Sequence, residues 1–584
     1  MDNREDDLII FNNKNDDAAQ YKYDLGDYSS RYKEDGYIEE VPRSRKAKGK
    51  KNKSNARWDR RKKKNNTKRA IRIVIVTILA LIIVGGLGYL AYSGIGVLRA
   101  GEDEAPMAEL QGPELKEPLD NGLTDEELAA LRDTGFIPSA AVGSSGGILL
   151  SSDMTPEMAT AEYWINKVDN PDQVLKTKEE IALKNAEIMD QNFIATGSSK
   201  NSMNNLDVMV DDFSAKNKQA LFGNWIKQKG TYYVNGQAYS SDDWDRLVAN
   251  CNTGITPTDG ALMGVTVRRT EFKVYPIDGW VGYEPDDYTD EYCLSGILPN
   301  ERILIVHTSA DGQWYYGYSS FARGWVKAED VALCHDKSEW NYAYTADDFL
   351  MVTADSMKLD YDLLDDHLDD YELFMGTKLT YHTASDINEI LGSRDRGTLY
   401  SYIAEIPCRG DDGYLYYEST PIPMGRDVHV GYLDFTVRNI LTQAFKPLGN
   451  KYSWGGAFNS RDCSEYSMEI YRCFGYVIGR NSSAQVLMPV EMIEWNKKTT
   501  NSQKVADLQT VLPGAILRFP GHIMIYIGME GEVPYCISAA GSYGFSGIED
   551  DVNRVMCVGV NSLYVYRKNT DTWLDDMSHV VMMY

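Results

Sequence analysis

The fold of the C-terminal region is decided by the stretch Tyr452-Ser-Trp-Gly-Gly456, which is followed by Asp462-Cys463-Ser464 and a helical pattern. This order places Cys463 at the N-terminus of a helix, where the helix dipole and free N–H groups lower a thiol pKa below its usual value of about 8.5. The same N–H groups can stabilise an oxyanion. Gly455 and Gly456 allow the preceding backbone to approach a substrate closely. The stretch therefore predicts a cysteine nucleophile at the floor of a cleft.

A histidine at the start of a predicted strand is the candidate base. Ala515–Phe519 has the pattern of a strand, Pro520-Gly521 turns the chain, and His522–Gly528 returns as the next strand. Alternation along this second strand puts its isoleucines on a core face and His522 on the opposite face, towards the expected cleft, with Met524 and Tyr526. The residues alone leave two interpretations open, a catalytic Cys–His pair and a structural histidine beside a strand.

Several motifs of this region resemble those of the NlpC-type cell-wall cysteine peptidases, which have a papain-like fold. In chain order they are Tyr452-x-Trp-Gly-Gly456, Asp462-Cys-Ser464, Arg480-Asn-Ser-Ser-x-Gln485 and Gly521-His-Ile-Met-Ile-Tyr-Ile-Gly528. The resemblance extends over about residues 157–584 to a multidomain branch of the family with bacterial Src-homology-3-type (SH3-like) domains. It is carried there by Tyr163-Trp-Ile-x-Lys-Val-Asp169, Val267-Arg-Arg-Thr270, Gly324-Trp-Val326, Gly431-Tyr-Leu-x-Phe-Thr436 and Gln443-Ala-Phe445.

The resemblance implies hydrolysis of the amide between the γ-carboxyl of D-glutamate and the diamino acid of peptidoglycan stem peptides. Cys463 would attack the carbonyl carbon, His522 would take and return the proton, and helix N–H groups would hold the oxyanion. No metal ion or other cofactor is expected. The positions expected to line the substrate side are Tyr452, Gly455, Gly456, Asp462 and Ser464.

One position departs from the family pattern. The third catalytic member of the family is a polar residue, usually histidine, which orients the catalytic histidine from the next strand. That strand is Tyr535–Ala539 here, and the matching position is Ser538. A serine is short and neutral, so it orients His522 more weakly than a second imidazole and stabilises an imidazolium less. Three alternatives stay open: Ser538 supports full activity as the third member, the activity is weakened or lost, or the matching position is one residue away or another group supplies the contact.

An uncharged run over residues 73–98 predicts a transmembrane helix, because a hydrocarbon core about 30 Å thick needs about 20 apolar residues. The net charge of −26 is divided unevenly: residues 1–72 hold 21 Lys/Arg against 13 Asp/Glu, and sixteen of those cations lie between Arg43 and Arg72. The positive-inside rule places this N-terminus in the cytoplasm and everything after Arg99 outside. The basic segment is expected to contact anionic lipid, and no nucleic-acid partner is expected.

The sequence as a whole predicts a multidomain α+β protein with one transmembrane helix. The predicted segments are a disordered cytoplasmic tail with a polybasic end (1–72), the transmembrane helix (73–98), an extracytoplasmic linker (99–156), a helical N-terminal segment of the ectodomain (157–258), a first SH3-like β-barrel (259–338), a second SH3-like β domain (339–436) and a papain-like α+β peptidase domain (437–584). The two β domains hold no nucleophile–base pair. They are expected either to recognise or position the substrate, or only to brace the peptidase domain.

Eight cysteines in 584 residues do not imply a disulfide framework. Cys473 fits a small core residue, and a bridge between Cys536 and Cys557 stays open. The leading hypothesis is a single-pass membrane protein whose extracytoplasmic part is a peptidoglycan endopeptidase of a bacterial cell wall. The alternative is a catalytically weak or inactive wall-binding scaffold of the cell envelope, or of a secretion or conjugation machine.

Overall fold

A computed structural model describes residues 143–145, 148–150, 154–190, 203–287, 289–359, 368, 370–382, 399–544, 552–567 and 571–584. Within these residues no helix is both long enough and apolar enough to cross a membrane. The predicted cytoplasmic tail, the predicted transmembrane helix and most of the predicted linker lie outside them. Helices and strands are numbered below in chain order within the described residues.

Most α-helices in this part of the chain are short, and polar caps mark where they begin. Their bounds are Ala161–Ile165 (α1), Lys178–Asp190 (α2), Leu206–Asp212 (α3), Ala215–Leu221 (α4), Ser241–Asn250 (α5), Lys337–Asn341 (α6), Val437–Phe445 (α7), Cys463–Arg472 (α8), Ser482–Gln485 (α9), Asn501–Leu508 (α10) and Trp573–Asp576 (α11). At α5, for example, the Ser240 hydroxyl accepts from the Asp243 N–H and the Asp243 carboxylate accepts from the Ser240 N–H. Such a capping box satisfies N–H groups that the first helical turn leaves free.

The predicted first barrel contains an antiparallel seven-stranded sheet with the order β12-β5-β9-β10-β11-β6-β8. Its strands are Leu262–Thr266 (β5), Thr270–Lys273 (β6), Cys293–Ile297 (β8), Arg302–Thr308 (β9), Trp314–Tyr318 (β10), Arg323–Lys327 (β11) and Val331–Leu333 (β12). Shorter strands lie before or between them: Gly143–Ser145 (β1), Ile148–Leu150 (β2), Tyr233–Val234 (β3), Gln237–Ala238 (β4) and Val281–Gly282 (β7).

The region predicted as a second β domain divides its strands among three small antiparallel sheets. Their orders are β16-β13-β19, β14-β15 and β17-β18. The strands are Phe349–Val352 (β13), Ser356–Lys358 (β14), Glu372–Phe374 (β15), Lys378–Thr380 (β16), Ser401–Arg409 (β17), Leu415–Pro423 (β18) and Val428–Val430 (β19). The long β17–β18 hairpin turns at Asp411–Gly413, where the sequence predicts a turn.

The C-terminal region is built on a six-stranded antiparallel sheet with the order β20-β25-β21-β22-β23-β24. Its strands are Glu491–Glu494 (β20), Ile516–Phe519 (β21), His522–Glu530 (β22), Val533–Gly544 (β23), Val552–Ser562 (β24) and His579–Met582 (β25). The predicted β21–β22 hairpin is confirmed, and it turns at Gly521 with φ of +92°. Helix α8 packs against β22 and β23 of this sheet.

Both faces of β22 are buried. Ile523, Ile525 and Ile527 belong to one apolar cluster together with α8, while Met524 and Tyr526 belong to a second cluster with residues of β21, β23 and α11. The expectation that the second face lines a cleft is therefore wrong for Met524 and Tyr526. Apolar side chains from the C-terminal segment cover that face, and only the first residue of the strand reaches the site.

The predicted helical segment 157–258 packs against two different partners. Its first part, with Trp164, Ile165, Ile181 and Ile188, shares an apolar cluster with the C-terminal sheet. Its second part, from Leu206 onwards, packs with the strands of the first barrel. The first cluster also contains residues of both β regions, so one continuous core joins all the predicted ectodomain segments.

Candidate active site

The catalytic candidate Cys463 is the first residue of α8, as the sequence predicts. Asp462 is the N-cap, and its carboxylate accepts hydrogen bonds from the backbone N–H groups of Ser464 (3.0 Å) and Glu465 (2.8 Å). An aspartate is a favourable cap because its charge also interacts with the positive end of the helix dipole. The cap fixes where the helix begins and thereby where the thiol lies.

The half-buried Cys463 thiol lies beside the start of β22. The backbone N–H of Ile523, the residue after His522, hydrogen-bonds it and lowers its pKa. Burial acts in the opposite direction and is the larger effect, followed by the Asp462 carboxylate, so the pKa of the Cys463 thiol is raised to about 12. The sequence predicts a lowered thiol pKa. That expectation is wrong because desolvation outweighs the stabilising helix N-terminus.

His522 and Ser538 are in hydrogen-bond contact, with 3.1 Å between Nε2 and Oγ. Ser538 lies on β23 and is fully buried. With the proton on Nε2, the imidazole donates to Ser538 and its Nδ1 is left to accept a proton. The geometry is thus compatible with the predicted third member, while its catalytic role stays a prediction.

Protein groups enclose the His522 ring. Burial lowers the pKa of the imidazole to about 3, and the Arg567 guanidinium adds to this effect while the Asp462 carboxylate opposes it. The ring also contacts two aromatic side chains, with centroid distances of 4.9 Å to Trp573 and 5.3 Å to Phe519. Burial thus favours the neutral form of both the Cys463 thiol and the His522 imidazole.

The predicted substrate-side residues take different positions. Tyr452 is half-buried, and burial raises the pKa of its phenol well above the usual value, with Cys463 and Asp462 adding to the shift. Asp462 and Ser464 are buried, and their side chains bond to each other and to Arg480. Tyr452 thus lies beside the thiol, whereas the side chains of Asp462 and Ser464 are held inside the protein.

Gly455 and Gly456 have left-handed backbones, with φ of +65° and +76°. A Cβ atom at Gly455 would collide with the carbonyl of Cys293 in the first barrel, and one at Gly456 would collide with the Glu465 carboxylate. Both glycines are buried. Glycine is required at both positions because the backbone lies close to Cys293 and Glu465 of the same protein. A contact between these glycines and the substrate stays a prediction.

A buried ionic network surrounds the first two turns of α8. Arg269 of the first barrel contacts Glu465 and Glu469 at 2.9 Å each, and its guanidinium also donates to the Ser460 carbonyl at 2.7 Å. Arg480 contacts Asp462 and Glu465 at 2.9 and 3.1 Å. These pairs connect the cap of the catalytic helix to the neighbouring barrel.

The second β region joins the same network through Asp355. Its carboxylate lies 2.7 Å from Arg461, which also pairs with Glu469. Ser295 of the first barrel accepts from Arg480 Nε at 2.7 Å. Burial raises the pKa of the Glu465 carboxyl to about 7, because its effect is larger than the opposite effect of Arg269 and Arg480.

The first barrel also borders the site beside Tyr452. The Trp454 N–H donates to Thr289 Oγ1 at 2.9 Å, and the half-buried Glu291 adds to the raised pKa of Tyr452. Burial raises the pKa of Glu291 itself to about 7, with Asp287 and Asp290 adding to the shift. An acidic barrel loop therefore lies next to Tyr452 and Trp454.

The sequence interpretation missed the network residues and the aromatic contacts of His522. A usable signal was present for the former, since Asp462, Glu465 and Glu469 follow a spacing of three and four and so share one helix face. No local signal pointed to Arg269 or Trp573, which reach the site from distant parts of the chain. The structure excludes a disulfide between Cys536 and Cys557. In the register of β23 and β24, Cys536 lies opposite Asn561 and Cys557 lies opposite Ala540. The two cysteines are therefore offset by four residues, about 13 Å along the strand, which is too far for a disulfide.

Comparison with protein families identifies the domain that holds the pair. Residues 449–536 match the model of the NlpC/P60 family. The chain carries an NlpC/P60 domain. The matched span contains Cys463 and His522 and ends before Ser538. Residues 286–327 match an SH3 domain of the SH3b1 type, so the NlpC/P60 cysteine endopeptidase domain is combined here with an SH3b domain.

Solved structures of NlpC/P60 proteins align with this chain to different extents. An NlpC/P60 endopeptidase from Photobacterium damselae subsp. piscicida aligns with a TM-score of 0.56 at 15% identity, over 72% of this chain and 96% of its own. An NlpC/P60 family protein from Bacillus cereus ATCC 10987 aligns with a TM-score of 0.36 at 14% identity, over 55% of this chain and 99% of its own. Comparison with curated protein sequences finds no match. At these identities the structural likeness describes the fold alone.

Proposed function

We propose that this chain is a membrane-anchored peptidoglycan hydrolase that cleaves the amide between D-glutamate (γ-carboxyl) and the diamino acid of stem peptides. One arrangement within the NlpC/P60 domain carries the proposal. The Cys463 thiol lies at a helix N-terminus near the start of the strand that begins with His522, and His522 is hydrogen-bonded to Ser538. The family supports a cell-wall peptide substrate. The particular amide and the anchor at residues 73–98 rest on the sequence resemblance and on hydropathy.

The first half-reaction forms a thioester. His522 Nδ1 accepts the thiol proton as Cys463 Sγ attacks the carbonyl carbon, so the neutral resting pair becomes a thiolate and an imidazolium only as the S–C bond forms. The free N–H groups of the first turn of α8 lie where they can stabilise the resulting oxyanion. The tetrahedral intermediate collapses, and the imidazolium gives its proton to the departing amine.

The second half-reaction releases the acid and restores the enzyme. Water attacks the thioester carbon while His522 accepts a proton from it, and the thiol leaves with that proton returned. No metal ion takes part in either step. Because peptidoglycan lies outside the cytoplasmic membrane, the proposal places residues 99–584 outside and the basic N-terminal segment against anionic lipid on the inside.

The test uses the full-length chain in detergent micelles with purified muropeptides, and follows the products by mass spectrometry. Cys463→Ala is expected to abolish cleavage, whereas Cys473→Ala, which removes a buried thiol at the other end of α8, is expected to retain it. Equal product from the wild type and Cys463→Ala would refute the peptidase mechanism. Cleavage at a different bond would refute the proposed specificity alone.

A second candidate function is wall binding with little turnover. Burial of the pair favours it, because a thiol pKa raised to about 12 and an imidazole pKa lowered to about 3 both make proton transfer from Cys463 to His522 costly. The same experiment separates the two functions. A scaffold would bind sedimented peptidoglycan with unchanged affinity in Cys463→Ala and release no product in either form.

A further inference from the structure

We propose that Trp573 and Phe519 are positioning residues for His522, and that their rings supply part of the orientation that a polar third residue provides in the family. This inference rests on the proposed function, because it concerns the base of that reaction. It concerns the departure at Ser538, since a short neutral hydroxyl gives the imidazole one hydrogen bond and no charge.

The contacts form a triangle of rings. The His522 centroid lies 4.9 Å from that of Trp573 and 5.3 Å from that of Phe519, and the latter two centroids are 5.4 Å apart. Tyr543 meets the edge of Trp573 at 5.7 Å. Such distances are typical of attractive aromatic packing. Because the hydrogen bond to Ser538 fixes only one atom of the imidazole, the two rings are what restrict its plane.

The segment that carries Trp573 is itself fixed. Trp573 is 2% exposed and begins α11, whose N-cap Thr572 forms a capping box with Asp575. The Trp573 N–H donates to the Val565 carbonyl at 2.9 Å. The indole is thus held by backbone bonds on both sides, and it does not depend on His522 for its position.

The rings also influence the charged form of the base. When His522 takes the proton of Cys463, its imidazolium lies beside the Trp573 ring, with 4.9 Å between the centroids and 58° between the ring planes. At this distance a cation can interact favourably with an aromatic ring. The charged groups that act on His522 are Arg567, which opposes protonation and pairs with Asp576 at 2.5 Å, and Asp462, which favours it. Because Arg567 opposes protonation and Ser538 carries no charge, the ring contact supplies part of the support that a second imidazole would give.

The experiment compares tryptophan variants of the full-length chain. Trp573→Leu removes the ring and keeps an apolar side chain, Trp573→Phe keeps a ring, and Trp495→Leu is the matched control. Trp495 is 7% exposed and belongs to the same apolar cluster, but its Nε1 donates to Asp507 at 2.8 Å and it has no contact with His522 among the described ring contacts. Steady-state cleavage of muropeptides gives kcat and KM.

Alkylation of Cys463 by iodoacetamide between pH 6 and 10, located by peptide mass mapping, gives a second measurement that needs no substrate. Since acid–base catalysis contributes about 100-fold or more, Trp573→Leu is expected to lower both kcat and the alkylation rate at pH 7 about 10-fold, with KM within about threefold. Trp573→Phe should stay within about threefold of the wild type in kcat, and Trp495→Leu should leave the alkylation profile unchanged.

Two outcomes would overturn the proposal: Trp573→Leu within about twofold of the wild type in alkylation, or an equal loss in Trp495→Leu. If Trp573→Leu fails to fold, Phe519→Leu carries the same expectations. Failure of the substrate proposal would appear differently, as absent cleavage in the wild type with an alkylation profile that still depends on Trp573.

Discussion

Replacing Arg269 by methionine tests the buried network most directly. Arg269 is on the first barrel, yet its guanidinium is 3% exposed and contacts two carboxylates of the catalytic helix, Glu465 and Glu469, at 2.9 Å each. The substitution keeps a long apolar side chain and removes the charge and the hydrogen-bond donors. The neighbouring Arg268 is the matched control, because its side chain is 63% exposed and lies 3.4 Å from Asp330.

The expected loss of stability depends on which arginine partners the two glutamates keep after the substitution. Removing one partner of a buried ion pair costs about 3–5 kcal/mol, because it leaves an uncompensated charge. Here Glu465 keeps Arg480 and Glu469 keeps Arg461, so we expect about 3 kcal/mol for Arg269→Met at pH 8. Arg268→Met removes an exposed cation at 3.4 Å from Asp330, which keeps its hydrogen bond from Thr270, and is expected to cost less than about 1 kcal/mol.

The cost should depend on pH in a defined direction. The folded-state pKa of Glu465 is already raised to about 7, so the folded protein binds this proton more tightly than the unfolded chain and loses stability as pH rises from about 4.5 to 7. Without Arg269 this pKa rises further, and the loss continues above pH 7. The difference between Arg269→Met and the wild type should therefore be smaller at pH 6 than at pH 8, by about 1 kcal/mol.

Urea unfolding of the full-length chain, followed by circular dichroism at both pH values, gives the free energies of unfolding. Adding Glu465→Gln to Arg269→Met should recover part of the loss, since the amide carries no charge and has a similar shape. Two results would refute the reasoning: equal destabilisation by Arg269→Met and Arg268→Met, or a cost for Arg269→Met that does not change with pH.

Three further predictions concern the site itself. Gly456→Ala should lower stability and activity more than Gly449→Ala, because both have positive φ but only the Cβ at 456 meets the Glu465 carboxylate; equal melting temperatures would contradict this. Ser538→Ala should reduce kcat by about three- to tenfold, the value of one neutral hydrogen bond, with steady-state kinetics as the measurement and an unchanged kcat as the contrary result. Alkylation of Cys463 should rise from pH 6 to 10, because its pKa is raised to about 12; a plateau from pH 5 would indicate a preformed ion pair.

Local signals predicted the elements that carry the candidate pair. The helical pattern that follows Cys463 placed this residue at the start of α8, and a Pro-Gly turn placed His522 at the start of β22. The position of Ser538 came from the resemblance to the family, and the structure places its Oγ 3.1 Å from His522 Nε2. These features depend on neighbours in sequence, which is why one sequence was sufficient.

The features that were not predicted depend on distant contacts. The direction of the Cys463 pKa is set by burial, which arises only when the strands close over the helix N-terminus. Arg269 and Asp355 reach α8 from two other predicted domains, about 200 and 100 residues away along the chain. Hydrophobic periodicity describes which face of an element is buried, but it does not say which charged group will meet that face.

The carboxylates on the buried face of α8 also limit how this peptidase unit can be exchanged between proteins. In an excised fragment of residues 437–584, Glu465 and Glu469 would lose Arg269, and Arg461 would lose Asp355. Shuffling by recombination therefore has to carry the barrel arginine along with the catalytic helix, or replace both glutamates by neutral residues in the same event. The peptidase region and the two β regions therefore depend on one another for charge balance, although each has the size of an independent module.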